Sequence, residues 1–334
     1  MNLNILRQKI FESHTDTQFD ELVLKLFDYQ YNNNKIYNRY VNLLGRDIKK
    51  IDCLKKIPFM PVEFFKEHRV VSGDEKNEKY DAIFTSSGTT GVGTSCHYVK
   101  DISLYYQSAV AGFEKFYGSL KNYHVLALLP AYLERQGSSL VAMAEKFMEV
   151  SGCGNNNFFL YDFDGLAKKI ESIDNKKKIL LLGVTFALID FAETHPQNFG
   201  DRVVVMETGG MKGRKKELVR SEIHGLLKKN LGIKTVHSEY GMTELLSQAY
   251  SFGEGIYYPS NTLKILIRDA SDPFRYVSQG VVGGINVVDL ANIDSCSFIE
   301  TKDLGLMHED GGFEVLGRFD HSDTRGCNLL YTNA

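Results

Sequence analysis

A chain of 334 residues, 43% hydrophobic and 24% charged, is long enough to bury a sizeable core of roughly two domain-equivalents, which excludes a disordered polypeptide. The net charge of −3 and pI near 6.3 argue against a surface built around a nucleic-acid backbone, and the clusters Lys176 to Lys178 and Lys212 to Lys216 read as solvated surface. No apolar run approaches the roughly 20 residues of a membrane span, and Met1 to Lys9 lacks the apolar centre of a signal peptide, so the expectation is a cytoplasmic protein.

Residues 1–80 read as a helical region. Phe19, Leu22, Leu26 and Phe27 recur at helical spacing, Tyr37 to Leu44 continues in that style, and Pro58 and Pro61 then force an extended or looped segment. Residues 81–255 alternate strand and helix. Short apolar runs at His124 to Pro130, Lys178 to Val184, Arg202 to Met206 and Lys234 to His237 suit strands buried on both faces. Between them, Ile102 to Tyr117 follows the capping carboxylate of Asp101, and Arg214 to Leu231 carries Leu218, Ile223, Leu226 and Leu227 on one face and stops at Gly232. Such alternation implies an α/β fold with a mostly parallel sheet covered by helices. Residues 256–320 turn β-rich, with runs at Thr262 to Arg268, Gly284 to Val288, Ser297 to Thr301 and Phe313 to Leu316, so a smaller β subdomain is expected there, followed by a tail over 321–334.

Within this frame, Thr85-Ser86-Ser87-Gly88-Thr89-Thr90-Gly91 follows the apolar run Ala82-Ile83-Phe84. Its glycines allow the backbone to turn several N–H groups inward, and its hydroxyls add donors for an anionic oxygen, although the same residues also fill ordinary turns. It is not a Walker A loop, because Gly91 is followed by Val92 and Gly93 rather than Lys-Ser/Thr. Nor is it a dinucleotide fingerprint, because Cys96 stands where the third glycine is needed. Ser238 to Glu244 (Ser-Glu-Tyr-Gly-Met-Thr-Glu) follows a short strand, where ligands of open α/β sheets bind. Thr243 offers a hydroxyl to a phosphate and Glu244 a carboxylate to a hard divalent cation; a plain capped helix start would use the same letters. Glu207-Thr208-Gly209-Gly210 ends another strand in the same way. Farther on, Asp303 can accept two hydrogen bonds from a ribose diol, and Arg318, in Gly317-Arg318-Phe319-Asp320, can add a donor near sugar or phosphate.

In this succession the motifs resemble those of adenylate-forming enzymes, over about residues 84–320. Within that superfamily the chain is most similar to the acyl-protein synthetase of bacterial bioluminescence. The narrower likeness rests on Leu129-Pro130-Ala131-Tyr132-Leu133-Glu134-Arg135, Thr208-Gly209-Gly210-Met211-Lys212-Gly213 and Arg325-Gly326-Cys327-Asn328-Leu329. The resemblance implies ATP and Mg as cofactors, with Thr85, Ser86, Ser87, Gly88, Thr89, Thr90 and Gly91 on the β and γ phosphates. Gly209, Gly210 and Tyr240 would flank adenine, Thr243 would touch the α phosphate, Glu244 would bind Mg, Asp303 would hold the ribose with Arg318 nearby, and Tyr132 would border the acyl pocket. Members of the superfamily continue beyond the Gly-Arg-x-Asp segment into a mobile C-terminal domain that brings a lysine to the reacting carboxylate. Only Asp320 to Ala334 follow here, so that domain is expected to be absent, with its lysine either replaced by a main-domain group or dispensed with in favour of Mg, the phosphate loop and positioning.

Five scattered cysteines make neither a disulfide framework nor a C-x-x-C site. One of them, Cys327, has Arg325 and His321 close in sequence, either able to lower its pKa, and the resemblance implies that it receives the acyl group and passes it to an acyl-CoA reductase-like partner. Cys96, beside the phosphate loop, is the rival thiol. The expected substrate is a carboxylic acid, by resemblance a fatty acid. An AMP-forming acid-CoA ligase of phenylacetate type and a nucleotide-binding subunit without turnover remain as alternatives.

Overall fold

The computed structural model describes residues 3–12, 14–73, 79–86, 93–130, 137–174, 176–209 and 219–319. Three helices open the chain: α1 (Leu3–Ile10), α2 (Asp16–Asn33) and α3 (Lys35–Leu43). A capping box starts α2, in which the Thr15 hydroxyl accepts from Gln18 N–H while the Gln18 amide oxygen accepts from Thr15 N–H at 2.9 Å. Asn34 ends α2 and caps α3 by accepting from Tyr37 N–H at 2.9 Å. Phe19, Leu22, Leu26 and Phe27 are buried, as their spacing requires. After Pro58 the chain extends into β1 (Met60–Pro61) and the single turn α4 (Phe64–Glu67).

The hairpin β2 (Ala82–Thr85) and β3 (Cys96–Val99) comes next, pairing Phe84 with His97 and Thr85 with Cys96. An alternating run follows: α5 (Ile102–Tyr117), β4 (Tyr123–Leu128), α6 (Ser139–Ser151), β5 (Phe158–Phe159), α7 (Phe163–Ser172), β6 (Lys178–Val184), α8 (Thr185–Thr194), β7 (Val203–Thr208), α9 (Arg220–Leu231) and β8 (His237–Tyr240). The Asp101 carboxylate caps α5 through Ser103 N–H, and α9 stops at Gly232, whose φ of 60° suits the left-handed turn. Then come β9 (Ala249–Ser251), β10 (Ile256–Pro259), β11 (Leu263–Arg268), β12 (Gly283–Asp289), β13 (Phe298–Met307) and β14 (Phe313–Arg318).

Strand order is β11-β12-β13-β14-β10-β9-β8-β7-β6-β4-β5, with β1 parallel to β13. From β5 to β8 the pairing is parallel, and from β8 to β11 it is antiparallel. The β-rich segment therefore continues the α/β sheet rather than forming a separate one. Two apolar clusters share the interior. One joins β4, β6 and β7 to α5, α6, α8 and α9; the other packs Leu6, Leu22, Leu26 and Tyr37 against Ile285, Val287, Phe298 and Ile299. The N-terminal helices thus cover the antiparallel half of the sheet.

One strand expectation is corrected: the run at Lys234 to His237 is mostly loop, and β8 lies three residues later, over His237–Tyr240. Lys234 and Thr235 are exposed, whereas the polar Ser238 and Glu239 are buried, an inversion that an apolar-run criterion cannot see.

Candidate active site

Where β7 and β8 end, five sequence motifs converge. Tyr240, the last residue of β8, is buried and donates its phenolic hydrogen to Asp303 Oδ2 at 2.8 Å. Asp303 lies on β13 directly opposite Arg318 on β14, and Arg318 Nε approaches Asp303 Oδ1 at 3.4 Å. Burial pushes the Asp303 carboxyl above its ordinary range, against the lowering effect of Tyr240, Arg318 and Arg268.

Past Tyr240 the chain turns through Gly241, and side chains from elsewhere hold that turn by its carbonyls. His97 Nδ1–H donates to Thr243 O at 2.9 Å, and Asn292 Nδ2 donates to Glu244 O at 2.7 Å. Burial drops the His97 pKa to about 4, so the imidazole is neutral. Asp289, fully buried, accepts from the backbone of Leu246 and Ser247 and from the Ser247 hydroxyl, fixing the turn from β12. The Glu244 carboxyl is buried; desolvation raises its pKa, and a Ser95 hydrogen bond, Arg318 and Lys66 offset this in part. Ser95 belongs to the stem of the loop that follows β2: its N–H donates to Ser86 Oγ at 3.0 Å, and its carbonyl accepts from Ser86 N–H at 3.1 Å. Thr85 N–H donates to Gly137 O at 2.8 Å, fastening the other side of the hairpin.

The expected residues Thr85, Ser86, Gly209, Tyr240, Thr243, Glu244, Asp303 and Arg318 are described. Ser87, Gly88, Thr89, Thr90, Gly91, Gly210, Tyr132 and Cys327 lie outside the described residues. Gly209, at φ 75°, presents its carbonyl to the Thr185 hydroxyl at the end of β7. Glu244 supplies one buried, under-compensated carboxylate beside the loop stem, which fits a hard cation that takes its other oxygens from phosphate and water. Among the described residues no cluster of three or more His, Cys, Asp or Glu forms a cage.

Two carboxylates unforeseen in the sequence sit in the same strands. Glu239 pairs across the ladders with Thr208 and Tyr250, so all three share one face, and Thr208 Oγ1 donates to Glu239 Oε2 at 2.5 Å. Burial, with Glu207 adding repulsion, lifts the Glu239 pKa to about 7 despite that bond. Glu207 faces the opposite side. Burial would raise its pKa, but His224, Thr185 and Ser238 outweigh that and hold it low. Buried polar residues in a short strand are the signal that would have found both.

This sheet has relatives among solved structures. A 2-hydroxyisobutyryl-CoA ligase in complex with R3-HIB-AMP superposes with a TM-score of 0.70 at 12% identity, over 93% of this chain and 70% of that one. The fold is that of adenylate-forming enzymes. ATP-bound MatB from Rhodopseudomonas palustris matches with a TM-score of 0.56 at 16% identity over 74% of this chain, and the AMP complex of O-succinylbenzoate coenzyme A synthetase from Bacillus subtilis with 0.52 at 18% over 74%. The chain spans 50% of that MatB structure and 51% of that synthetase, about half of each. No family model matches the sequence, and neither does any curated protein. Parallel pairing gives way to antiparallel at β8, the kind of position at which open sheets form a ligand crevice.

Proposed function

We propose that the protein activates a carboxylic acid with ATP, forming acyl-AMP and releasing pyrophosphate. The observation that carries this is the meeting of the loop stem at Ser86 and Ser95, the Thr243–Glu244 turn and the Tyr240–Asp303–Arg318 group at one end of the sheet. In this reading a carboxylate oxygen of the acid attacks the α phosphorus, and the bond to the bridging oxygen of pyrophosphate breaks. Oxide, a poor leaving group, is thereby exchanged for AMP. Thr243 donates to the α phosphate, Asp303 accepts from the ribose hydroxyls, and Tyr240 and Arg318 hold the Asp303 carboxylate in place. Mg, when bound at Glu244, neutralises charge on the phosphates.

The narrower proposal follows the resemblance to acyl-protein synthetases: a fatty acyl group passes from AMP to Cys327, forming a thioester and freeing AMP, and then to an acyl-CoA reductase-like partner in the cytoplasm. A second reading, release of acyl-CoA, draws support from the likeness to a ligase solved in complex with 2-HIB-AMP and CoA. Intact-protein mass spectrometry with ATP, Mg and short, aromatic and long-chain acids, with AMP assayed in the same tubes, separates them. A hydroxylamine-labile adduct that disappears in Cys327→Ala supports the protein acceptor. AMP formed only when CoA is added supports the ligase, and no acid-dependent AMP under any condition overturns both.

A further inference from the structure

Among the described residues, Arg318, Lys302, Arg268 and Lys66 stand near the converging motifs, and three of these are already engaged. Arg318 faces Asp303, Lys302 pairs with Glu63 at 2.5 Å, and Arg268 donates to Asn286 Oδ1 at 2.9 Å and Thr301 O at 2.7 Å. The remaining one, Lys66, comes from α4, a segment whose sequence gives no hint of a ligand. No described carboxylate closes an ion pair on its ammonium, and its side chain is exposed.

Its position is fixed by its neighbours. On one side, β1 pairs with β13 through Met60–Ile299 and Pro61–Glu300, Val62 N–H donates to Glu300 O at 2.9 Å, and Glu63 holds Lys302, the residue beside Asp303. On the other, the Phe65 ring packs edge-on against His97 at 5.5 Å, and His97 in turn holds the Thr243 carbonyl. Lys66 lies beside the phosphate-loop stem: a Cβ built on Gly93 falls 3.8 Å from Lys66 Cβ, an ordinary van der Waals contact. The helix turn bearing Lys66 is therefore pinned to the Asp303 strand, the Thr243 turn and the loop stem together. Electrostatically, Lys66 acts on the buried Glu244 carboxylate.

We propose that Lys66 is a phosphate-binding residue of this site, placing its ammonium over the β and γ phosphates where the loop stem and Glu244 meet. This rests on the ATP reading above. A flexible stem with a compact charge suits an anion that arrives and leaves as pyrophosphate. The N-terminal helical region then contributes directly to nucleotide binding, besides covering the sheet.

The test is calorimetric titration of the full chain with ATP and, separately, AMP, both with Mg, in wild type, Lys66→Met and Lys66→Arg. Lys66→Met is expected to weaken ATP about tenfold while leaving AMP unchanged, and Lys66→Arg to keep most of the ATP affinity. The exposed side chain makes a folding failure unexpected, and equal melting temperatures check it. Equal weakening of ATP and AMP, or wild-type ATP affinity in Lys66→Met, overturns the assignment while leaving the ATP reading intact. A wild-type protein that binds neither nucleotide overturns the reading itself.

Discussion

The phenol of Tyr240 donates to Asp303 Oδ2 at 2.8 Å, joining residues 63 positions apart in the chain. Tyr240 closes the parallel half of the sheet and Asp303 stands on β13 in the antiparallel half, so this bond spans the change of pairing. Both groups are buried, and the bond leaves Oδ1 to Arg318. In the proposed function, a carboxylate oriented in this way would accept from a sugar diol. Replacing Tyr240 by Phe removes the orienting donor and keeps the ring, which packs against Tyr257 and Phe313. The expected outcome is a several-fold rise in KM for ATP with kcat nearly unchanged, and a stability loss of about 1 kcal/mol. Steady-state kinetics against ATP and a urea titration measure both; a fall in kcat alone contradicts the ribose role.

Glu244 tests the cation site through stability as well as rate. Its pKa is raised in the folded chain, so the stability it contributes is full below its unfolded pKa and is lost as pH rises through the folded value. At neutral pH without metal, well above its unfolded pKa, the desolvated carboxyl therefore costs stability, and Glu244→Gln should melt higher than wild type. With Mg and ATP the order should reverse, because only wild type gains from the bound cation, and acid-dependent pyrophosphate release should fall at least about 100-fold in the variant. Thermal unfolding with and without Mg and ATP reads the crossover; parallel shifts in the two proteins would rule out Glu244 as the ligand.

Much of this was legible from residue order. Lys178 to Val184 is a strand with the expected bounds, because a strand buried on both faces writes itself as an unbroken apolar run. Asp101 and Gly232 bound their helices for local chemical reasons that need no tertiary partner. Glycine and hydroxyl punctuation marked the ends of β2 at Thr85 and of β7 at Thr208. Where buried polar groups replace apolar ones, the pattern misled: Ser238, Glu239 and Tyr240 form the strand, yet composition put it at Lys234. Lys66 was invisible for another reason. Its relation to Gly93, Thr243 and Asp303 exists only once β1 pairs with β13, across more than 230 residues of chain.

Glu239 makes a prediction about pH. Its pKa rises from 4.5 to about 7 through burial, with Glu207 close by and Tyr105 and Tyr250 sharing its surroundings. A raised carboxyl favours the folded state when protonated, so its contribution is complete below pH 4.5 and disappears as pH climbs to about 7. Glu239→Gln removes that dependence. The variant should match wild type near pH 5 and exceed it by a few degrees in Tm at pH 8. Melting curves across that range decide it, and a constant offset at every pH would mean that packing, rather than ionisation, sets the difference.

Asp289 anchors the turn that follows Tyr240 without touching any candidate-site motif. Fully buried, it accepts from Leu246 N–H at 2.7 Å, Ser247 N–H at 3.0 Å, the Ser247 hydroxyl at 2.6 Å and Ala291 N–H at 3.0 Å. The Ser247 hydroxyl also meets Thr262 Oγ1 at 2.7 Å, which in turn lies 3.0 Å from the Ser108 hydroxyl on α5. Burial pushes the Asp289 carboxyl up from 3.8 to about 6 against these donors, so the stability it contributes is full below pH 3.8 and is lost as pH rises to about 6. Asp289→Ala strands three buried N–H groups and should cost about 3 kcal/mol or more, while Asp289→Asn, which accepts through one oxygen only, should cost less. Because the turn carries Thr243 and Glu244, the Asn variant should also lower kcat for acid activation while its KM for ATP stays near wild type. Denaturant titration paired with kinetics at pH 7.5 separates the two effects: lost stability with intact kcat would confine Asp289 to the fold.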